Sequence, residues 1–457
     1  AGAALAIVER PVPEVGIPQL VVASSRATLA DAAAWWYGDP SERLGVVGVT
    51  GTDGKTTTSF LAVAALEAAG LATGLVGTVH LRIGGLEEPT PEHVTTPPAP
   101  RLQALLKTMA DAGDRAAVLE TTSHGLALDR VRGVAYDAAI LTNLTHEHLE
   151  LHGSYEAYRA AKLRLFEALG PADRPETRPD PPAWPRVGIV NRDDPSWSWF
   201  ADATRTAGAR LLTYGTGADA DVRALAVDEG VDRLRIEYRS SAGSGRLALQ
   251  LAGRFNVHNA LAIVALGEAL GLDPERVRAG LEGVRAIPGR MERIDHGQPF
   301  DVVVDFAHSP ASLGLVLDLL GPTAADRGGG LIAVFGSAGE RDRAKRPMMG
   351  RVAGERCRLV VVADEDPRGE DREAILDEIA AGAEAVGRVR GSDLLCIADR
   401  RTAIRAAFEA ARPGDVVVLA GKGHERSIIG PDGPAPWDEA AVARSLLVEL
   451  GWRGEGG

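Results

Sequence analysis

The chain has 457 residues, 45% of them hydrophobic and 25% charged, so it has enough apolar material for two to four globular domains. Its net charge of −13 gives no electrostatic support to a general nucleic-acid-binding role, and no stretch approaches the ~20 apolar residues of a membrane span. Two cysteines, Cys357 and Cys396, exclude a disulfide framework and offer no metal-ligand spacing, as expected of a cytoplasmic protein. The first residues, Ala1-Gly2-Ala3-Ala4-Leu5, have neither a basic segment nor an initiator Met. They read as the interior of a longer chain rather than as a signal peptide.

In chain order, the residues before Leu44 read as a short, incomplete first unit. Leu44 to Thr50 predicts a buried strand that runs into a glycine loop, with a helix from Thr56 to Ala69. Ala116 to Leu119 and Ala138 to Leu141 are further short strands, Tyr158 to Phe166 is an amphipathic helix, and the Pro-rich run from Pro171 to Pro185 is a loop. Asp221 to Leu251 alternates as a small antiparallel patch does. After Pro288-Gly289 the strand–helix alternation restarts, with strands at Val302 to Val304, Leu331 to Phe335, Leu359 to Val362 and Val416 to Leu419. Helices over Arg372 to Ala385 and Arg401 to Ala411 separate several of them. The expected fold is α/β: mostly parallel sheets flanked by helices. Its expected domains are 1–44, 45–287 and 288–457.

The chemistry-bearing motif is Gly48-Val49-Thr50-Gly51-Thr52-Asp53-Gly54-Lys55-Thr56-Thr57, between a strand and a helix. Glycines let loop amides turn toward phosphate oxygens, and the helix N-terminus adds partial positive charge. Lys55 reaches terminal phosphates, and the Thr56 hydroxyl suits Mg²⁺. A strict phosphate-loop spacing would put Gly where Val49 stands.

The Gly-Thr-Asp-Gly-Lys-Thr form resembles the Mur ligases and the related folylpolyglutamate synthases. That resemblance implies an ATP-dependent ligase, in which a carboxylate is phosphorylated and an amine attacks the acyl phosphate. Later segments extend it in order. Glu120-Thr121-Thr122-Ser123-His124-Gly125-Leu126 resembles the segment whose Glu binds a second Mg²⁺. His148, in Thr142 to Leu149, matches another metal ligand, although a lone His is an unusual Mg²⁺ ligand and by itself reads as a polar loop residue. Lys162 by itself is a solvated helix lysine; the resemblance implies a carbamylated lysine that supports the metal site. Glu147 and Glu150 stand where the family usually has Asp, and Thr122 where it often has Ser.

The resemblance narrows to the subgroup that adds the third, diamino residue to a UDP-muramoyl peptide in peptidoglycan synthesis. Thr95-Thr96-Pro97 and Ser123 to Leu126 with Arg130-Val131 match its substrate loops, implying that Thr95, Thr96, Thr122 and Arg130 contact the nucleotide substrate. Asn259, in Gly253 to Ala260, matches the adenine segment. Arg290, in Pro288 to Arg293, matches the hinge, and Asp305 and His308, in Asp305 to Pro310, fall at the ATP side. Arg341, Gly421 and Glu425 match contacts to the incoming amino acid. The selectivity segment is Glu365-Asp366-Pro367-Arg368, where relatives using meso-diaminopimelate carry Asp-Asn-Pro-Arg. Arg368 favours diaminopimelate; Asp366, replacing the Asn, leaves L-ornithine and L-lysine open. The implied cofactors are ATP and Mg²⁺, and the implied partners are small molecules, with neither nucleic acid nor membrane. A monomer is compatible with the sequence, which leaves oligomeric state open. Rival readings are another ligase of the superfamily, such as a folylpolyglutamate synthase, and a nucleotide-regulated binding protein without catalysis.

Overall fold

The alternation of apolar strands, glycines and helices folds into two units, residues 1–285 and 286–457. The structure is a computed structural model that describes residues 2–90, 94–145, 152–170, 184–230 and 233–453. The expected loop over 171–183 and the candidate ligand His148, with Glu147 and Glu150, lie outside the described residues.

In the first unit, β1 (Ala6–Val8) and β2 (Gln19–Val21) form a small parallel ribbon, followed by α1 (Ser25–Trp36). The main sheet begins with β3 (Gly45–Thr50), α2 (Lys55–Ala68), β4 (Thr73–Val76), β5 (His80–Ile83) and β6 (Leu86–Pro89). It continues through α3 (Ala99–Ala112), β7 (Ala116–Glu120), a short α4 (Ser123–Ala127), β8 (Ala138–Leu141) and α5 (Tyr155–Glu167). Next come β9 (Val187–Asn191), α6 (Trp197–Thr206), β10 (Arg210–Gly215), β11 (Val222–Glu229), β12 (Leu234–Ser240), β13 (Gly243–Leu249), α7 (Asn256–Ala269) and α8 (Pro274–Gly283).

The sheet order is β13-β12-β11-β10-β9-β8-β3-β7-β4-β5-β6. Its middle, from β11 to β4, is parallel, and the strands from β9 to β4 are buried throughout, which explains their unbroken apolar runs. The expected antiparallel patch is β11–β13. In β12, Leu234, Ile236 and Tyr238 face inward while Arg235, Glu237 and Arg239 face solvent, a period of two. Side chains of α3, α5 and α6 cover one stretch of the sheet with Leu106, Met109, Leu165, Phe166 and Phe200, all fully buried. Strand β3 lies between β7 and β8, with Val49 opposite both Glu120 and Ile140. Val49 is therefore a sheet-centre residue, and the glycine loop begins only after it.

The second unit is a six-stranded sheet of order β14-β15-β19-β16-β17-β18. Its strands are β14 (Glu292–Ile294), β15 (Asp301–Asp305), β16 (Leu331–Phe335), β17 (Leu359–Val362), β18 (Leu394–Cys396) and β19 (Val416–Ala420). Only β14 is antiparallel to its neighbour. One apolar cluster joins the sheet to α9 (Pro310–Asp326), α10 (Lys345–Arg356) and α11 (Arg372–Glu384). Another joins it to α12 (Arg400–Ala410) and α13 (Glu439–Glu449). A hairpin, β20 (Ser427–Gly430) and β21 (Gly433–Pro436), follows β19. This is a Rossmann-like layering, in which ligands bind beyond the carboxyl ends of the strands. Among the described residues, no helix is long and apolar enough to cross a membrane.

Candidate functional site

In the first unit the loop from Gly51 to Gly54 joins β3 to α2. Gly51 has φ 150°, and a Cβ there would lie 1.8 Å from Thr142 Oγ1, so a side chain is excluded. Asn143 pins the loop: its carbonyl accepts from Thr52 N–H at 2.8 Å and its Oδ1 from Asp53 N–H at 2.9 Å. Thr142 Oγ1 donates to the Asp53 carbonyl at 2.6 Å. Gly54 caps α2 at φ 80°, and the N–H groups of Lys55, Thr56 and Thr57 form its first turn, where no intrahelical acceptor exists. Such a turn is an anion site in waiting. Lys55 Nζ rests on the carbonyls of Gly51 at 3.0 Å and Thr52 at 2.7 Å. Lys162, on α5, is 1% exposed and donates to the same Gly51 carbonyl at 2.7 Å, with its amine 4.5 Å from the Tyr158 ring centre. Two amines from separate helices thus converge on one oxygen.

Glu120 ends β7 and is fully buried. Its Oε2 accepts from Thr56 Oγ1 at 3.0 Å, and its Oε1 accepts from Thr78 N–H at 3.0 Å. Thr78 Oγ1 lies 2.9 Å from both Glu120 Oε2 and Thr95 Oγ1. Gly77 leaves the room this requires, since a Cβ there would lie 2.6 Å from Glu120 Oε1. The two expected substrate loops are tied to each other and to this carboxylate. Thr96 Oγ1 donates to the Glu120 carbonyl at 2.9 Å, lies 3.0 Å from Thr122 Oγ1 and accepts from Thr122 N–H at 3.0 Å. Arg130 donates to the Thr96 carbonyl at 2.9 Å, and Thr122 caps α4 through Gly125 N–H. Lys55, Thr95, Thr96, Thr122, Ser123, His124, Arg130, Tyr158 and Lys162 line one pocket. Asn259 is buried behind the loop, accepting from Thr58 Oγ1 at 3.2 Å and donating to Asn256 Oδ1 at 2.9 Å, so it braces α2.

In the second unit the hinge residues form a compact cluster. Asp305 is buried and accepts from the N–H groups of Met291 and Ala307, both at 2.8 Å. Burial pushes its carboxyl above the usual range, against the pull of the Arg290 guanidinium and the two amides. Arg290 stacks 4.7 Å from the Phe306 ring centre, and the His308 ring N–H donates to the Phe306 carbonyl at 2.9 Å. A Cβ on Gly289 would lie 2.2 Å from His424 N, so the hinge packs against the turn that follows β19.

That turn belongs to the second group of expected residues. Lys422, fully buried, bridges Asp366 at 2.8 Å and Glu425 at 2.5 Å. Asp366 Oδ1 also accepts from Ile429 N–H at 2.9 Å, while Arg368 N–H donates to the Ile429 carbonyl at 2.8 Å. Gly339 N–H donates to the Asp366 carbonyl at 2.8 Å, which places the Arg341 loop beside the Glu365–Arg368 segment. A side chain on Gly421 would press on Glu365 Oε2 at 3.0 Å, and that oxygen is buried without a hydrogen-bond partner. Arg368 Nε is likewise buried and unpartnered. Arg400 joins the strand ends from below, donating to the carbonyls of Asp364 at 2.9 Å and Ala420 at 2.7 Å while paired with the fully buried Glu439. Arg346 does the same for the neighbouring loop, pairing with Glu370 and Glu378 and donating to the Ala338 carbonyl at 3.2 Å.

Backbone strain marks these places independently. Among the described residues, the non-glycine residues at positive φ are Asp39, Asp129, Met291, Glu340 and Arg368. The last is an expected site residue, and three others adjoin Arg130, Arg290 and Arg341. Strain of this kind persists where the surroundings over-determine it, as at binding sites. Within the first unit the structure gathers Lys55, Glu120, Lys162 and both substrate loops; within the second it gathers Asp366, Arg368, Gly421 and Glu425, with exposed Arg341 on the adjoining loop. Sequence reading missed Thr78, Glu365 as a site residue, Lys422, Arg346 and Arg400. Thr78 and Arg400 sit in no recognisable pattern, whereas Arg346 lies in Lys345-Arg346-Pro347, a segment close to the subgroup's pattern. Lys422 lies in Gly421-Lys422-Gly423-His424-Glu425, between two residues expected at the amino acid, and its signal is a lysine flanked by two glycines.

Two family models match the chain: the Mur ligase middle domain over residues 49–267, and the Mur ligase glutamate ligase domain over 289–423. The UDP-N-acetylmuramyl-tripeptide synthetase of Roseiflexus sp. (strain RS-1) is 50% identical over 457 residues, covering 99% of this chain and 88% of that protein. The UDP-N-acetylmuramoyl-L-alanyl-D-glutamate--2,6-diaminopimelate ligase of Geobacter metallireducens is 39% identical, covering 100% and 88%. A solved structure of a UDP-N-acetylmuramoyl-L-alanyl-D-glutamate--2,6-diaminopimelate ligase superposes with a TM-score of 0.63 at 30% identity, covering 97% of this chain and 86% of that one.

Proposed function

The chain belongs to the Mur ligase family, and on that premise we propose that it joins a diamino acid, with meso-diaminopimelate favoured, to UDP-N-acetylmuramoyl-L-alanyl-D-glutamate through an acyl phosphate. The observation that carries this reading is the shared pocket, where phosphate-loop Lys55 meets Thr95, Thr96, Thr122 and Arg130 beside the Thr56–Glu120 pair. A phosphate donor and an acid acceptor must meet in such a place.

The roles follow from the chemistry. The amides of Lys55 to Thr57 and the Lys55 ammonium hold the ATP phosphates, and Asn259 keeps their helix in place. Thr56 and Glu120 suit Mg²⁺, because both present hard oxygen donors and their 3.0 Å separation brings those oxygens to one point. Held by these residues, Mg²⁺ would supply positive charge against the negative charge that develops in phosphoryl transfer. Carbamylation would turn Lys162 from a second ammonium beside Lys55 into an anion suited to another cation, together with His148. Thr95, Thr96, Thr122 and Arg130 orient the muramoyl nucleotide so that its D-glutamate carboxylate faces the γ-phosphate. Arg290, Asp305 and His308 frame the hinge. In the second unit, Arg341 takes the carboxylate of the incoming amino acid and Glu425 its ammonium.

For the distal end of that amino acid, Asp366 is engaged by Lys422 and Ile429, whereas Arg368 has an unpartnered Nε. A half-buried guanidinium with an unpartnered Nε suits a carboxylate, which favours diaminopimelate over L-ornithine and L-lysine. We assign residues 1–44 to the end of a nucleotide-substrate domain, 45–287 to the ATP-binding domain and 288–457 to the amino-acid domain, and the reaction to the cytoplasm. The test is ADP release with the muramoyl dipeptide and each of the three amino acids. Release with diaminopimelate alone supports the reading, release with ornithine or lysine alone reverses the amino-acid assignment, and turnover of a folate in place of the muramoyl peptide overturns it.

A further inference from the structure

We infer that Lys422 is a positioning residue of the amino-acid pocket, whose single ammonium holds Asp366 and Glu425, from two separate loops, in one arrangement. The inference rests on the reading of the second unit as the part that receives the amine. Lys422 is fully buried, and among the described residues its ammonium pairs with these two carboxylates, at 2.8 and 2.5 Å. Its backbone is fixed as well. Gly421 and Gly423 flank it at φ 100° and 49°, and Cβ atoms on them would meet Glu365 Oε2 and the Phe306 Cβ respectively. The lysine is thus delivered to one place by a turn that admits no other geometry. Through Asp366 the same ammonium reaches Ile429 and so the hairpin strand that holds Arg368 N–H.

The charge count gives the arrangement its purpose. Glu365, Asp366 and Glu425 converge around Gly421 to Glu425, and the cations facing them are Lys422 and Arg400. Arg400 is taken by Glu439 on α13. His424, between Lys422 and Glu425, packs on the Phe306 ring, 4.9 Å between ring centres. Lys422 therefore pairs directly with two of the three carboxylates, while the Arg400 guanidinium adds a longer-range attraction for Glu365 and Glu425. Burial raises the Glu425 carboxyl above its usual range, Lys422 works against that, and Asp366 and Glu365 add to it. Without Lys422, Glu425 would take up a proton at higher pH and lose its hold on an ammonium group, and Asp366 would turn away from Ile429.

The experiment uses the full chain with saturating ATP and muramoyl dipeptide, varying the amino acid and the pH. Lys422→Met is expected to raise the KM for the amino acid about tenfold or more, with the KM for ATP unchanged. It should also move the acid limb of kcat/KM to higher pH. Lys422→Arg should restore part of the loss, and Asp366→Asn added to Lys422→Met should restore part by removing one uncompensated carboxylate. Asp366→Asn alone gives the opposite sign: Lys422 then serves Glu425 undivided, and the acid limb moves to lower pH. This single variant decides the matter even if Lys422→Met does not fold. Equal losses for every substrate with no movement of either pH profile overturn the inference while leaving the functional reading intact. Absence of ADP release by the unaltered chain overturns both.

Discussion

The phosphate pocket of the first unit and the carboxylate-rich pocket of the second solve the problem of holding charged ligands in opposite ways. The first is made of backbone amides, hydroxyls and glycines around one buried carboxylate, with Glu120 satisfied by Thr56 and Thr78. The second is made of ion pairs that tie separate segments together, Asp366 to Lys422 and Glu425 in the loops and Arg400 to Glu439 at two helix starts, beside residues at positive φ. A loop of amides presents the same geometry at any pH, as befits a phosphate. A cluster of paired side chains carries its geometry in the balance of charge, and so can be retuned by one substitution.

The widest separation between the two should come from Lys55→Met. Removing the phosphate-directed ammonium is expected to lower ADP release about 10³-fold or more with little change in the melting temperature. Loss of activity through unfolding instead would break the comparison. Next comes Glu439→Ala, which strands the buried Arg400 and is expected to destabilise the second unit by about 3 kcal/mol or more in urea. Nucleotide binding by the first unit, followed by fluorescence, should survive to a higher denaturant concentration. Arg368→Ala should raise the KM for diaminopimelate about 10- to 100-fold while leaving that for ATP in place, checked by steady-state kinetics. An equal rise for lysine would show that Arg368 supports the loop rather than the distal carboxylate.

The smallest effect is pH-dependent. Arg346, with the Glu340 amide, holds Glu370 below the usual carboxylate range, and Arg343 and Arg346 do so for Glu378. A lowered folded-state pKa means stability that is present above the unfolded pKa and lost as pH falls through the folded one. Both carboxylates are partly solvated, so the contribution should be under about 1 kcal/mol. Thermal melts from pH 5 to pH 3 should show that loss, and Glu370→Gln should flatten it.

How much was legible follows the same contrast. The strand, glycine loop and helix of Gly45–Ala68 are contiguous, so local pattern predicted a helix from Thr56, one residue after its observed start at Lys55. The alternation in β12 gave the antiparallel patch for the same reason. Asp366 was read from its charge alone, as able to repel a distal carboxylate or attract a second amine; its ion pair with Lys422, 56 residues later, was not visible in the sequence. Thr78 was invisible because only the parallel pairing of β4 with β7 brings a strand-end hydroxyl onto Glu120.

By itself, then, the sequence determined what local chemistry can determine: the alternation of strands and helices, the phosphate loop, and the ordered motifs of a Mur ligase. Periodicity, glycine conformations and the reach of a helix N-terminus all act within a few residues. Only the tertiary structure decided which charges are spoken for and which donors remain open, as with Lys422 shared by two carboxylates, two lysines on the Gly51 carbonyl, and an Arg368 Nε without a partner. Electrostatic balance depends on distance in space and on exclusion of water, and neither quantity exists until separate loops have been brought to the ends of the same sheet.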